Sequence, residues 1–549
     1  MVIESPWPSL APYPKAHLAD WLEDASLRWG EKAAFIDREG RSYSFRQTFD
    51  LARRIGRFLQ EEGVAKGDRV AVVSFNSVSL VIHYLGVIWS GGVLVPLNPL
   101  YRARELKQIL ANSGARVALV AGVGPEGHPT KSAISRGPQA RVGRAEEDAL
   151  AKVEGMKGEL PELSAVYPLE GVEGRAAQVP PEPLAQEIDP EADPAVMYYT
   201  GGTTGLPKGV PLTHFEIVAS LRQLNRVRDH KATDTFLDFS HLHLAFAATS
   251  LAFSGLFSGS TQVVMPRFDP EEAATLIEKH RVTYIALAPP ALTALAEAAE
   301  QGRYDPSSLA LIISGGAVLP EEVLERARRA LGCAIIDSYG LSETSATNCH
   351  SLLRIKTGSM GAPVPDTVEK VVSLDTGQEV GRGEVGELFI RGPQVFKGYW
   401  RNPEATAEAL TPDGWFRTGD LVWADEEGYV YVIGRIKEII KYKGYQVTPA
   451  ELEGVLMEHP AVQEAAVIPK ADREAGEVPK AVVVLRPGTQ ASPEELKKEL
   501  MAFVEARVVP YKKVREVEFI DAIPRSPLGK ILRRELIDRE RAAGGAAGP

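Results

Sequence analysis

Short apolar runs alternate with stretches of helical period, and this alternation is the strongest constraint on what the chain can fold into. Arg69-Val70-Ala71-Val72-Val73 and Val93–Leu97 show no polar face of period two, so they read as strands buried on both sides. Arg116–Val120, Val282–Ala288, Leu309–Ser314 and Ala334–Asp337 repeat the pattern. Between them lie helices. Ser44 is placed to cap one running to about Glu62, with Phe45, Phe49, Ala52, Ile55 and Phe58-Leu59 on its inner face. Ser79–Trp89 reads as a nearly all-apolar helix and Ala103–Ala111 as another. Further helices open at Asp269-Pro270-Glu271-Glu272, at Pro290 and at Pro320-Glu321-Glu322. Strands separated by helices predict right-handed crossovers and mostly parallel sheets, whose carboxyl ends are where ligands bind.

The pattern changes further on. Glu384–Arg391, Gly428–Ile433 and Ile436–Tyr442 read as short strands between turns, and Thr448-Pro449-Ala450-Glu451 and Ser492-Pro493-Glu494-Glu495 as capping boxes. A chain of 549 residues exceeds one core. The expected fold class is α/β. A large region of α/β layers with a small β subdomain spans 1–436, followed by a small mobile α+β domain over 437–549. From about Ala121 to Gln186 the periodicity weakens, which predicts a loop-rich insertion or a poorly ordered surface segment over 122–185. The Gly/Ala/Pro terminus reads as disordered.

Composition excludes several classes. At 44% hydrophobic and 25% charged residues the chain is globular, and a net charge of −11 argues against nucleic-acid partners or a polybasic membrane anchor. Cys333 and Cys349 make neither a disulfide framework nor metal-ligand spacing, and no basic segment leads an apolar run near Met1; both point to the cytoplasm. The stretch Phe239–Pro266 carries no Asp, Glu, Lys or Arg and is long enough to raise a membrane span. Its His241, His243 and hydroxyl residues fit a buried segment lining an apolar pocket better, with peripheral membrane contact left open.

The chemistry is concentrated in five clusters. Tyr198-Tyr199-Thr200-Gly201-Gly202-Thr203-Thr204-Gly205-Leu206-Pro207-Lys208-Gly209-Val210 combines glycines for close backbone approach, hydroxyls to donate to phosphate oxygens, and a lysine point charge. It is not a P-loop, because Pro207 stands where that pattern needs Gly before Lys. Ser314-Gly315-Gly316-Ala317 follows a strand and leaves room for a flat ring. Asp337-Ser338-Tyr339-Gly340-Leu341-Ser342-Glu343-Thr344 offers an aromatic face, a hydroxyl and a carboxylate suited to a hard cation. Gly414-Trp415-Phe416-Arg417-Thr418-Gly419-Asp420, with Gly434-Arg435-Ile436-Lys437 beyond it, pairs an acid fit for ribose hydroxyls with an arginine. Pro524-Arg525-Ser526-Pro527-Leu528-Gly529-Lys530 presents a lysine on a glycine turn.

Taken in this order, the clusters resemble the adenylate-forming superfamily, which includes acyl-CoA synthetases, 4-coumarate:CoA ligases, firefly luciferase and peptide-synthetase adenylation domains. Ile440-Lys441-Tyr442-Lys443-Gly444-Tyr445-Gln446-Val447-Thr448-Pro449-Ala450-Glu451-Leu452-Glu453 is most similar to the acyl-CoA synthetase and coumarate-ligase branch. The resemblance covers roughly 20–120 and 190–540. It implies ATP, Mg²⁺ and coenzyme A as reactants, with Thr200, Gly201, Gly202, Thr203, Thr204, Gly205 and Lys208 forming the phosphate loop. Gly316, Asp337, Ser338 and Tyr339 then form the adenine site, Ser342 bonds the α-phosphate and Glu343 holds Mg²⁺. Asp420 and Arg435 serve the ribose, Lys437 the hinge, and Lys443-Gly444 a coenzyme A contact. Lys441, Gln446 and Lys530 become the catalytic residues. Relatives carry Phe-His-x-Phe-Gly where this chain has Ser240-His241-Leu242-His243-Leu244-Ala245-Phe246-Ala247. Either histidine could be the counterpart, with His243 preferred. Val318 stands where Pro is common.

The resulting expectation is an acyl-CoA synthetase, monomeric or homodimeric, acting on a small-molecule carboxylic acid. No charged residue is evident around the expected pocket, which disfavours an amino acid. Small residues such as Gly316, Ser345 and Ala346 leave room for a chain, so a medium- or long-chain fatty acid comes first. An aryl acid, a carrier-protein thiol as acceptor and a non-catalytic nucleotide-binding protein follow.

Overall fold

A computed structural model describes residues 2–122, 149–200, 207–315, 319, 321–443, 445–489, 492–525 and 531–545. Local signals set the helix that runs from Phe45 to Glu61. Ser44 Oγ accepts from the Gln47 amide at 3.2 Å, and Gln47 Oε1 accepts from the Ser44 amide at 2.9 Å, which satisfies two amides of the first turn. Its apolar stripe lies on the helix Val78–Trp89, which is buried almost all round. Two glycines bring these helices close. A Cβ on Gly86 would lie 2.5 Å from Ile55 Cγ2 and 3.0 Å from the Ala52 carbonyl, and one on Gly56 would lie 2.9 Å from Trp89 Cβ.

The alternating region builds two open sheets. The first has the order Ala165–Pro168, Ala115–Val120, Arg69–Val73, Val93–Leu97, Pro194–Thr200, Lys208–Thr213; all neighbours are parallel except the last pair. The second runs Ala334–Asp337, Leu311–Ser314, Tyr284–Leu287, Thr235–Asp238, Thr261–Val264, Ala33–Ile36, Ser42–Ser44, and is parallel up to its last strand. Asp269 caps the helix Pro270–His280 by accepting from the Glu271 and Glu272 amides. An antiparallel sheet of Val2–Glu4, Val368–Val372, Gly386–Arg391, Phe416–Ala424 and Val430–Arg435 is the small β subdomain. Another sheet joins Ile440–Tyr442, Tyr445–Val447, Val462–Asp472, Gly476–Leu485 and Glu516–Phe519 around a core of its own. The α/β class expected from the sequence is the class observed.

Four local expectations are revised. The span expected to be loop-rich carries, over 149–186, a helix, the edge strand Ala165–Pro168 and the helix Leu169–Ala176. The strand lies at the sheet edge, half-buried along its length, and ends in proline. Residues 123–148 lie outside the described set. Thr448 starts the helix Pro449–Met457 without a side-chain cap, and the reciprocal half of the expected box is spent elsewhere, since the Glu451 carboxylate accepts from Lys512 Nζ at 2.7 and 2.9 Å. Ser492 does cap its helix, through the Glu495 amide. Ile436–Tyr442 divides into a 3₁₀ turn at Ile436–Glu438 and a strand at Ile440–Tyr442. The terminus is a helix from Arg533 to Gly545, with 546–549 outside the described residues.

The uncharged stretch 239–266 is broken into a helical turn (Ala245–Ala247), a π-helical turn (Ala248–Phe253), a helix (Ser254–Ser258) and the strand Thr261–Val264. No helix among the described residues is long and apolar enough to cross a membrane.

Gly86 gives a direct test of the helix contact, with Gly454 as a control in open space. Gly86→Ala should cost about 1–3 kcal/mol through overpacking. Gly454→Ala, where a Cβ meets nothing within 4 Å inside the helix Pro449–Met457, should instead stabilise by about 0.5–1 kcal/mol. Denaturant titration of both variants against the parent reads the difference.

Candidate active site

Both open sheets direct their strand ends toward the residues singled out in the sequence. Strands Pro194–Thr200 and Lys208–Thr213 form an antiparallel hairpin whose last pair is Thr200 with Lys208. The segment between them, including Gly201, Gly202, Thr203, Thr204 and Gly205, lies outside the described residues. Lys208 therefore enters the site at a fixed register. Its ammonium sits 4.5 Å from the centroid of the Tyr399 ring. The Trp400 amide donates to the Gly209 carbonyl at 2.9 Å, and a Cβ at Gly209 would meet Trp400 Cβ at 3.1 Å. A side chain at 209 would crowd Trp400, Met197 and Tyr199.

Tyr399 connects Lys208 to Glu343. Its hydroxyl donates to Glu343 Oε1 at 2.8 Å, and the Phe396 amide donates to the Glu343 carbonyl at 2.8 Å. Burial pushes the Glu343 carboxyl up from its ordinary range, while the Tyr399 hydrogen bond and the charges of Arg435 and Lys208 pull it back. A nearly buried carboxylate beside two cations and a phosphate-type hairpin has the donor chemistry for one Mg²⁺ ligand. No group of three metal-ligating side chains occurs among the described residues. A hard cation here would draw its remaining ligands from phosphate oxygens and water.

Asp420 and Arg435 are cross-strand partners on Phe416–Ala424 and Val430–Arg435. Arg435 Nε lies 2.7 Å from Asp420 Oδ1, and the Tyr339 hydroxyl donates to Asp420 Oδ2 at 2.5 Å. The expected adenine and ribose residues thus meet. Both Asp420 oxygens have protein partners. Asp337 ends its strand beside Ser314, and burial pushes its carboxyl up to about 7. Ser338 Oγ donates to the Asn348 carbonyl at 3.0 Å, and Ser342 is half-buried in the turn closed by the Thr344 amide on the Leu341 carbonyl. Gly316 lies outside the described residues. At neighbouring Gly315, a Cβ would stand 3.3 Å from the Phe246 ring.

His243 is buried and its imidazole is pushed down to about 3, by burial and then by His241, so it is neutral at physiological pH. The two histidine rings lie 5.3 Å apart. Lys441 and Gln446 are directly paired across adjacent strands, with Lys441 exposed. Lys443 turns that hairpin at φ +47°, a left-handed conformation, and its amide donates to the Ala475 carbonyl. Lys437 is exposed in the 3₁₀ turn. Gly444 and Lys530 lie outside the described residues; the chain around Lys530 is closed by a bridge between Arg525 and Ile531 and by the Leu532 amide on the Pro524 carbonyl.

Three residues went unread in the sequence. Tyr399 joins Lys208 to Glu343. Asn76 bonds the backbone of the histidine segment. Arg228 is buried, with Nη2 3.5 Å from Ser338 Oγ and Nη1 3.3 Å from the Tyr284 hydroxyl. The Tyr399-Trp400 pair was the one visible signal, two adjacent aromatics after a glycine.

Two open sheets meeting over a lysine hairpin, with an acid–arginine–tyrosine triangle beside it, define a nucleotide-using α/β enzyme. The model of AMP-binding enzymes matches residues 22–400, including the span the resemblance did not cover, and that of the AMP-binding enzyme C-terminal domain matches 451–530. The chain belongs to the adenylate-forming superfamily, in its acyl-CoA and 4-coumarate–CoA ligase-like branch, and is an AMP-forming acid–thiol ligase. It is 35% identical to a long-chain-fatty-acid–CoA ligase of Bacillus subtilis over 98% of this chain and 99% of that protein. It is 34% identical to 4-coumarate–CoA ligase 5 of Oryza sativa subsp. japonica over 97% and 96%. Among solved structures, ATP-bound MatB from Rhodopseudomonas palustris is similar with a TM-score of 0.84 at 26% identity, over 96% of this chain and all of that one.

Glu369 backs this site. It is buried, accepts from Asn348 Nδ2 at 3.1 Å, and burial pushes its carboxyl up to about 8. Because its folded pKa exceeds the ordinary 4.5, its contribution to stability is full below pH 4.5 and is lost as pH rises to about 8. Glu369→Gln should flatten the pH dependence of the unfolding midpoint across that window and raise the midpoint above pH 8; an unchanged slope would sink this account.

Proposed function

We propose that this ligase activates a medium- or long-chain fatty acid with ATP and Mg²⁺, releasing pyrophosphate, and passes the acyl group to coenzyme A with release of AMP. The observation that carries the reading is the Lys208–Tyr399–Glu343 cluster, which sets a phosphate-binding cation and a buried carboxylate together at a sheet end. The small and apolar lining from Ala245 to Leu251 supports an alkyl chain. An aryl acid is the second reading, supported by the 34% identity to the Oryza sativa 4-coumarate–CoA ligase 5, close to the 35% to the fatty-acid ligase. A ligase loading a carrier-protein thiol is the remaining alternative.

In the first half-reaction the acid's carboxylate attacks the α-phosphorus, so two anions must be brought together. Catalysis is then mostly positioning and charge neutralisation. Thr200 to Gly205 and Lys208 hold the β- and γ-phosphates, and Ser342 bonds the α-phosphate. Gly316, Asp337, Ser338 and Tyr339 hold adenine; Asp420 and Arg435 hold ribose. Glu343 would hold Mg²⁺, which when bound neutralises phosphate charge. Lys530 bridges carboxylate and phosphate, while Lys441 and Gln446 act on the reacting groups. His243 gates the acid. In the second half-reaction the thiol attacks the acyl carbonyl and AMP leaves, with Lys443-Gly444 against coenzyme A. The residues from 437 to 549 turn about Lys437, against a body of residues 1–436, between the two steps.

ATP–pyrophosphate exchange across acids of graded chain length and aryl acids, with coenzyme A added or withheld, tests the reading. Best exchange with aryl acids would reject the fatty acid, and no exchange with any acid would reject the whole. Lys530→Ala should slow exchange by about 10²–10³ while leaving thioester formation from supplied acyl-adenylate intact. Equal loss of both steps would contradict its role. Glu343→Ala should raise the Mg²⁺ concentration for half-maximal exchange at least about tenfold; an unchanged requirement would remove it as a ligand.

A further inference from the structure

The backbone of the histidine segment is not held chiefly by its own sheet. Ser240 and Leu242 follow the strand Thr235–Asp238 of the second sheet, yet their main chain is bonded by a side chain from the first. Asn76 Nδ2 donates to the Ser240 carbonyl at 2.8 Å, and Asn76 Oδ1 accepts from the Leu242 amide at 3.0 Å. Asn76 sits just past the carboxyl end of Arg69–Val73 and is only 4% exposed. An amide is the one small side chain that offers a donor and an acceptor in this spacing, and here it replaces the partner strand that Ser240-His241-Leu242 lacks. Tyr84 from Val78–Trp89 adds a longer bond from its hydroxyl to the Leu242 carbonyl, 3.4 Å. From the second sheet the tie is a side-chain one: Ser240 Oγ donates to the Ala286 carbonyl at 2.6 Å.

The clamped segment leads directly into the site. The turn Ala245–Ala247 packs against Tyr339–Leu341 and Ser345–Cys349, and the Phe246 ring lies against Gly315. A shift of the backbone at 240–242 therefore reaches Phe246 and the wall beside Gly315. The Lys208–Tyr399–Glu343 cluster and the Asp420–Arg435 pair are tied by contacts of their own, so such a shift reaches them only indirectly, through Tyr339–Leu341.

We propose that Asn76 is a positioning residue for acid selection: by bonding both sides of His241, it sets where the Ser240–Phe246 segment lies and so fixes the shape of the acid site. It acts through that segment and touches no reactant. The inference rests on the reading of 240–246 as the acid-binding wall.

The test compares Asn76→Asp and Asn76→Ala with the parent enzyme in pyrophosphate exchange. Asn76→Asp is close to isosteric and keeps the acceptor for Leu242, but sets a carboxylate oxygen against the Ser240 carbonyl. Both variants should raise KM for the acid about tenfold or more, with KM for ATP within about twofold of the parent. The preference between shorter and longer acids should flatten as well. A parallel rise in both KM values, or no change in either, would overturn the proposal, as would loss of folded protein in both variants, which would mark Asn76 as purely structural. If the parent enzyme itself shows no acid-dependent exchange, it is the proposed function that fails; parental exchange with unchanged variants fails the positioning role alone.

Discussion

A carboxylate removed from water needs a cation or a donor, and the organisation of this site follows from meeting that need twice. Glu343 is met by the Tyr399 hydroxyl with Lys208 behind the ring, and Asp420 by Arg435 and the Tyr339 hydroxyl. The two solutions are linked, since Arg435 also acts on Glu343 and Tyr339 lies in the same loop as Glu343. Remove Tyr399, and Glu343 loses its donor while Lys208 loses the ring that holds it near. The tyrosines thus connect charges drawn from separate sheets: Lys208 on the strand Lys208–Thr213, and Asp420 with Arg435 on the paired strands Phe416–Ala424 and Val430–Arg435.

The extent to which this was legible depends on range. Arg69–Val73, Val93–Leu97 and Ala334–Asp337 were readable because strands covered on both faces leave continuous apolar runs. Asp269-Pro270 marked a helix start because a cap is satisfied within three residues. Ala165–Pro168 was missed because an edge strand keeps one face half in water. At Thr448 the expected box does not form, and Glu451 bonds instead to Lys512, a partner that no local pattern reveals.

The same division holds in the site. Asp337 to Glu343, Asp420 and Arg435 were nameable because their residue types follow strand ends in a recognisable order. Asn76, Arg228 and Tyr399 were not, because each acts on a partner far along the chain and is an ordinary polar residue in its own neighbourhood. Their roles come from the meeting of two sheets, and a linear reading has no access to that meeting.

The hairpin that ends in Lys208 has one more consequence. In many nucleotide sites the phosphate loop runs into a helix, whose aligned peptide dipoles supply a fixed positive end. Here the chain leaves the loop as the strand Lys208–Thr213, so no helix follows that loop directly. What Lys208 contributes is a discrete side-chain charge, not the end of a helix running on from the loop. Such a charge can be altered by a single substitution, and dissolved ions screen an exposed one more readily than they would a buried dipole.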